Sequence, residues 1–157
     1  MAGPTTPFED ATGNNPAWTT LSQEQTFLQN VANQSDRASV TTLGNSAVDN
    51  NPIKMVLVGY PSAPTETELK RKSTVLVVGA QHGNEPSGRE TSLQKLRDLA
   101  FSNDAQIQKY LRKHPVIFIP TVNPDGFSSK SRRNGLGNDI NRQWLNYNDA
   151  EIQAVSL

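Results

Sequence analysis

Apolar residues come in short runs along this chain, and their spacing predicts an alternation of strands and helices. Phe27, Leu28 and Val31 fall on one helical face, and Ser22 stands three residues before Gln25 in the spacing of a capping box, so a helix is predicted from Ser22. Ser39 to Leu43 alternates weakly and reads as a strand, and a turn-rich stretch follows from Gly44 to Pro52. Ile53 to Gly59 (IKMVLVG) predicts a strand by its β-branched content and its bounding Pro and Gly. Tyr60 to Lys72 is polar, contains Pro61 and Pro64, and reads as a surface loop. Thr74 to Gly79 (TVLVVG) is apolar on both faces, as in a strand buried within a mostly parallel sheet. Leu93, Leu96 and Leu99 place a helix over Ser87 to Phe101, and Ile107, Tyr110 and Leu111 continue in a second helical piece. Val116 to Pro120 (VIFIP) is another buried strand, and Thr121 to about Tyr147 is a long loop without periodicity. Asn148 or Asp149 then caps a helix running through Ile152, Val155 and Leu157.

The predicted class is therefore α/β, a mixed and mostly parallel sheet flanked by helices. The strand–helix–strand succession from Thr74 to Pro120 implies a right-handed parallel crossover. Parallel strands end at the same edge, so the loops after Gly79 and after Pro120 emerge side by side. In open α/β sheets that carboxyl edge is where ligands bind.

Composition narrows the function classes. Fifteen Lys and Arg balance fifteen Asp and Glu, so no charge excess points to nucleic acid or to a membrane surface. No apolar stretch approaches the roughly 18 residues of a membrane span, and no charged-then-apolar leader opens the chain. The absence of Cys excludes thiol catalysis, disulfides and cysteine-based metal sites. With two histidines, a metal site here depends on carboxylates or on ligands from elsewhere. Residues 1–17, carrying Pro4, Pro7, Gly3 and Gly13, read as a flexible lead-in, and 18–157 as one domain unit.

The two neighbouring loops carry the candidate chemistry. The first reads Gly79-Ala80-Gln81-His82-Gly83-Asn84-Glu85-Pro86, in which His82 and Glu85 offer an imidazole and a carboxylate three residues apart. Zinc accepts both ligand types, and a catalytic zinc takes three protein ligands plus a water. H-x-x-E alone is common by chance, and a solvated His and Glu in a polar loop is the plainer reading of those four residues. The second loop holds Asn123-Pro124-Asp125-Gly126-Phe127, then Arg132 and Arg133, and later Asp139-Ile140-Asn141-Arg142. Guanidinium forks and an amide brought to the edge that holds His82 and Glu85 make a site for a carboxylate. Asn123 to Gly126 are turn formers that shape the loop.

H-G-N-E after one hydrophobic strand, N-P-D-G-F after the next, and R-x-N with D-x-N-R downstream resemble the zinc carboxypeptidase family, the carboxypeptidase A-like enzymes, over about residues 75–145. The resemblance implies a three-layer sandwich, of which 18–157 is the amino-terminal part of a single catalytic domain. It implies Zn2+ as cofactor, with His82 and Glu85 as its first two ligands and Asp139 orienting the imidazole of His82. Arg132, nine positions before Asn141, matches the catalytic arginine that polarises the scissile carbonyl, and its neighbour Arg133 competes for that assignment. Asn141 and Arg142, with Arg132, match the residues that hold the substrate, the first two gripping its free carboxylate.

The family also needs a later histidine ligand, a tyrosine and a general-base glutamate, and none follows here. His114 precedes a strand of five residues and is expected at the opposite sheet edge, about 15 Å or more from His82, as a solvated strand-start residue. Glu90 and Glu151 are expected as helix surface charges. The resemblance thus implies a metallocarboxypeptidase-like hydrolase that removes a carboxy-terminal residue from a peptide or peptidoglycan-like chain. Taken alone, this chain is expected to bind zinc weakly and not to turn over. Two alternatives stand beside it: an N-acyl amino acid amidohydrolase of the desuccinylase or deacylase type, and a non-catalytic carboxylate-binding protein. The expected partners are a peptide or small amide with a free carboxylate, and a complementary carboxy-terminal half or a second copy meeting the exposed edge of a half-sheet. No nucleic acid or membrane is expected, and the family is mostly secreted rather than cytoplasmic.

Overall fold

The computed structural model describes residues 3–10 and 17–156. The remainder of the expected lead-in, and Leu157 at the end of the last expected helix, lie outside the described residues. Within the lead-in, Pro7–Asp10 forms a short helix α1, and Phe8 stacks on Trp18 with ring centroids 5.0 Å apart. Glu9 accepts a bond from Arg97 Nη1 at 2.6 Å.

Helix α2 spans Leu21–Gln34. Its capping box is formed by Thr20 and Gln23, two residues ahead of the Ser22–Gln25 pair that shows the same spacing. Thr20 has the extended backbone an N-cap needs, whereas Ser22 already lies inside the helix. Phe27, Leu28 and Val31 are buried as the periodicity requires, each contributing roughly 1.5–3 kcal/mol by transfer from water.

Four strands follow: β1 (Ala38–Asn45), β2 (Pro52–Val58), β3 (Val75–Val78) and β4 (Val116–Ile119). They form one mixed sheet in the order β1-β2-β4-β3. The β1/β2 and β2/β4 pairs are antiparallel and only β3/β4 is parallel, so the parallel character is confined to the strands that carry the two candidate loops. Helices α4 (Pro86–Phe101) and α5 (Ala105–Lys113) lie in the connection between β3 and β4. The polar stretch expected as a bare loop contains a further helix, α3 (Glu66–Arg71), started by a capping box between Thr65 and Glu68.

Each face of the sheet has its own core. On one, Val56, Val58, Val116 and Phe118 meet Phe27, Leu28 and Val31 of α2, Leu93 and Leu96 of α4, and Leu111 of α5. On the other, Ile53, Ile117 and Ile119 meet Ile140 and the last helix, α7 (Ala150–Val155), through Ile152 and Val155. Helices on both faces of a mixed sheet give the expected three layers.

Two acidic residues depart from expectation. Glu90 is buried on α4, where it accepts bonds from Thr19 N (2.8 Å), Thr19 Oγ1 (2.9 Å) and Arg89 Nη1 (3.1 Å). Glu151 is fully buried and accepts from Asn134 Nδ2 (3.3 Å) and Ala47 N (3.4 Å). Both helices are covered on these faces by segments distant in sequence, 17–20 and the loops around Ala47 and Asn134, which helical periodicity does not report.

Arg89 is the largest fully buried side chain. Its Nε donates to Glu24 Oε2 (2.6 Å) and Thr121 Oγ1 (2.8 Å), its Nη1 donates to the Thr19 carbonyl, and its Nη2 to the Thr20 carbonyl (3.1 Å). One guanidinium thus joins the start of α2, the first turns of α4 and the residue after Pro120. Arg89→Met would leave Glu24 and Glu90 buried without a cation. The expected loss of stability is about 3–5 kcal/mol, read as a lowered urea midpoint.

Candidate functional site

The pairing of β3 with β4 continues past both strands. Gly79 N donates to Ile119 O (2.9 Å), Val122 N to Gly79 O (3.3 Å), Asn123 N to Ala80 O (3.1 Å) and Asn123 Nδ2 to Gln81 O (3.2 Å). Ala80 adopts φ 40°, a left-handed conformation that turns the chain out of β3 into the first loop. Close backbone approach sets two glycines: a Cβ on Gly79 would overlap the Pro120 carbonyl, and one on Gly83 would overlap the backbone of Gly126. The loop that bears His82 therefore lies directly on helix α6 (Pro124–Ser128), whose Asn123 cap accepts from Gly126 N at 2.9 Å.

At this edge His82, Glu85, Asp139 and Arg132 come together. His82 is buried, with Nδ1 3.1 Å from Glu85 Oε2 and Nε2 3.2 Å from Asp139 Oδ1. Glu85 stands at the N-cap position of α4 yet makes no capping bond, which leaves its carboxylate free to face the imidazole. Arg132 Nε donates to Asp139 Oδ2 (3.1 Å), and its Nη1 lies 3.6 Å from Glu85 Oε1. Desolvation raises the pKa of Asp139, but the hydrogen bonds from Arg132 and His82 outweigh it and hold the carboxyl below its ordinary range. Asp139 is therefore an anion at neutral pH, and each ring nitrogen of His82 has a carboxylate oxygen at hydrogen-bond distance, Nε2 that of Asp139 and Nδ1 that of Glu85.

Asn141 and Arg142 follow on the 3-10 turn Ile140–Arg142, which Asp139 caps by accepting from Asn141 N at 3.1 Å. Both side chains are exposed, and the Arg142 backbone N–H donates to the Asp139 carbonyl at 2.9 Å. The carboxylate that meets His82 thus also starts the turn bearing the guanidinium–amide pair. Arg133 donates through Nη1 to the Gly137 carbonyl at 2.7 Å, so of the two it is Arg132 that meets the carboxylates paired with His82.

His114 is half-buried where α5 ends, at the amino end of β4, with Nδ1 3.2 Å from the Ser73 carbonyl and its ring against Tyr110. It belongs to the other end of the strand. Among the described residues no group of three or more His, Cys, Asp or Glu converges to hold a metal ion. The donors present, one imidazole nitrogen and one carboxylate, suit two of the three positions of a catalytic zinc.

Sequence patterning missed the residues that hold the second loop. Asp125 is buried and accepts from Ser46 Oγ, Val48 N (3.0 Å) and Asn51 Nδ2 (3.2 Å), fastening the Asn-Pro-Asp-Gly turn to the β1–β2 connection. This supports the loop-shaping role expected of that turn. Asn134 Nδ2 and Asn138 Nδ2 donate to Asp149 Oδ1 at 3.0 and 2.8 Å, tying the loop to α7. The turn motif is the only local signal for any of these contacts.

Comparisons with known proteins identify the family to which the chain belongs. The profile described as "Zinc carboxypeptidase" matches residues 24–155, and the chain belongs to that family. It is 34% identical over 112 residues to carboxypeptidase E of Caenorhabditis elegans, covering 68% of this chain and 22% of that protein. Similarity to carboxypeptidase 2 of Trichophyton rubrum is 29% over 119 residues, with 76% and 22% covered. A metallo-carboxypeptidase structure from Burkholderia cenocepacia superposes with TM-score 0.71 at 26% identity, over 85% of this chain and 36% of that one. The chain thus spans about a fifth of the length of these curated relatives.

Gly83→Ala is expected to push the two loops apart. Stability should fall by at least about 1–3 kcal/mol in thermal unfolding, because the overlapping atoms are backbone and have no rotamer into which to retreat.

Proposed function

We propose that this chain carries one side of a zinc carboxypeptidase active site, the side that binds two ligand positions of the metal and the carboxylate end of the substrate. The observation that supports this most directly is the single cluster of His82, Glu85, Asp139 and Arg132 at the carboxyl edge of the β3/β4 pair. His82 Nδ1 and Glu85 would hold zinc. Bound there, zinc supplies Lewis-acid polarisation of a carbonyl and a more acidic water.

The chain's own residues have distinct tasks. Asp139 fixes the tautomer and ring plane of His82 by accepting from Nε2. Arg132 presents a permanent positive charge to the oxygen on which negative charge develops as the amide carbonyl is attacked. Asn141 and Arg142 bind the free α-carboxylate of a peptide's last residue, a fork and a directional donor on one short turn. The substrate is accordingly a peptide with a free carboxy terminus. The third ligand and the general base are not among these residues, so the isolated chain binds zinc weakly and does not turn over. Secretion is proposed from the family resemblance, and no described helix is long and apolar enough to cross a membrane.

A metal-free carboxylate-binding protein is the competing reading, favoured by the presence of only two converging donors. Zinc content of the complete gene product separates the two. Near-stoichiometric zinc that disappears in His82→Ala supports the hydrolase, and its absence supports the binding protein. Asp139→Ala is expected to retain the fold and weaken zinc binding about 10–100-fold in competition with a chelator. Arg132→Ala is expected to lower kcat on a carboxy-terminal peptide substrate about 100–1000-fold in the complete gene product, with zinc content unchanged.

A further inference from the structure

We propose that a groove walled by Trp18, beside the loop of His82, is a second binding surface for peptide, taking residues well ahead of the carboxy-terminal bond and favouring an aromatic and an acidic side chain among them. The direction in which the peptide runs rests on the active-site reading above. The groove has a volume of about 1190 Å3 and opens between the start of α2, the first loop and α6, with Trp18, Leu21, Asn84, Phe127, Ser128 and Lys130 in its lining. Pockets for a drug-sized ligand measure roughly 300–1,000 Å3, so this one has room for more than one side chain.

Its position argues for upstream residues. At one end it reaches Gly83 and Asn84, which stand between His82 and Glu85 in the chain, and on the second loop it reaches Ser128 and Lys130, just ahead of Arg132. None of the residues from Arg132 to Arg142 lines it. With the substrate's carboxylate at Asn141 and Arg142 and its scissile carbonyl at Arg132, the remainder of the peptide leaves over surfaces that those residues do not form. This groove is such a surface, and it begins beside the proposed zinc ligands.

The lining sets the chemistry of what enters. Trp18 is 45% exposed, yet its indole is held by a parallel stack on Phe8 with ring centroids 5.0 Å apart and planes within 5°. A ring supported on one face is a preformed platform on the other, and a second aromatic side chain stacks on it at little cost in ordering. Phe127, the other aromatic of the lining, is backed by the buried Arg89 guanidinium at 4.3 Å. Among the described residues Lys130 is the only charged one in the lining, and it is exposed. A carboxylate finds a countercharge there and a basic side chain finds none. Ala17 and Trp18, at the border of the expected lead-in, thereby belong to a substrate-facing wall.

Calorimetric titration of the complete gene product tests the proposal with three peptides that share their last two residues, joined by a reduced, non-hydrolysable bond. One is an acylated dipeptide, one a hexapeptide with Phe and Glu upstream, and one the same hexapeptide with Ala at both positions. The Phe- and Glu-bearing hexapeptide is expected to bind about tenfold more tightly than either of the others. Trp18→Ala should remove the share due to Phe, and Lys130→Ala the share due to Glu. Equal Kd values for the three peptides would overturn the proposal. So would a Trp18→Ala variant that weakens all three alike, which makes the indole a structural support. Hydrolysis of the matching cleavable dipeptide is read separately: its absence removes the active-site reading while the Kd series still decides the groove, and turnover without any preference among the three removes the groove alone.

Discussion

Everything at the candidate site rests on the parallel pairing of β3 with β4 and on its continuation into the loops. The ladder does not stop at Val78 and Ile119; it runs on through Gly79, Ala80 and Gln81 to the backbone and side-chain amides of Asn123. Two loops that would otherwise be independent are thereby fixed at backbone distance, and glycine at 79 and 83 permits that approach. An imidazole on one loop and a carboxylate on the other then meet without either needing to be mobile. The antiparallel strands β1 and β2 act at one remove: their connection supplies Ser46, Val48 and Asn51 to Asp125 beneath the second loop.

The supporting shell is polar to an unusual depth. Arg89, Glu24, Glu90 and Thr121 form a buried network in which one guanidinium serves two carboxylates and two backbone carbonyls. Such groups are expensive to desolvate, and apolar side chains of similar volume often give equal or greater stability. What they add here is directional fixation. The guanidinium also lies 4.3 Å over the ring of Phe127, the residue after the Asn-Pro-Asp-Gly turn, so α4 and the second loop share one charged anchor. The first turn of α4 begins at Glu85, and fixing Arg89 therefore fixes the helix that presents the carboxylate to His82.

How much of this is legible in the sequence depends on whether the cause is local. The strands Ile53 to Gly59, Thr74 to Gly79 and Val116 to Pro120 announce themselves as continuous apolar runs, but only Val116 to Ile119 is buried along its whole length, and β3, expected as a buried strand, lies at the sheet edge with Val75 and Leu76 exposed. His82, Glu85 and the Asp139 to Arg142 stretch are readable because ligand spacing and turn chemistry are short-range. Glu90 and Glu151 are not: what decides their burial is the arrival of Thr19 and of Ala47 with Asn134, each far away in sequence. The helix at Glu66–Arg71 was hidden for the opposite reason, since its face is too polar for periodicity, although Thr65 and Glu68 carry a capping box. At α2 the box motif is ambiguous by two residues: Ser22–Gln25 and Thr20–Gln23 share one spacing, and backbone conformation separates them.

Charge accounting at the site bears on how the proposed metal and Arg132 would share so small a space. Glu85 and Asp139 contribute two negative charges and Arg132 one positive, so with a neutral imidazole the cluster is net negative. Arg132 contacts the two carboxylates unequally, at 3.1 Å to Asp139 and 3.6 Å to Glu85. Asp139 is thus the nearer partner of the guanidinium, and the same carboxylate reaches the imidazole of His82 through its other oxygen. In the proposed zinc-bound form the cluster becomes net positive, and Arg142 next along the chain adds to that. On the proposed reading, a site so charged would attract an anionic substrate end and repel cationic ones, the electrostatic condition for selecting a free carboxy terminus over the rest of a peptide.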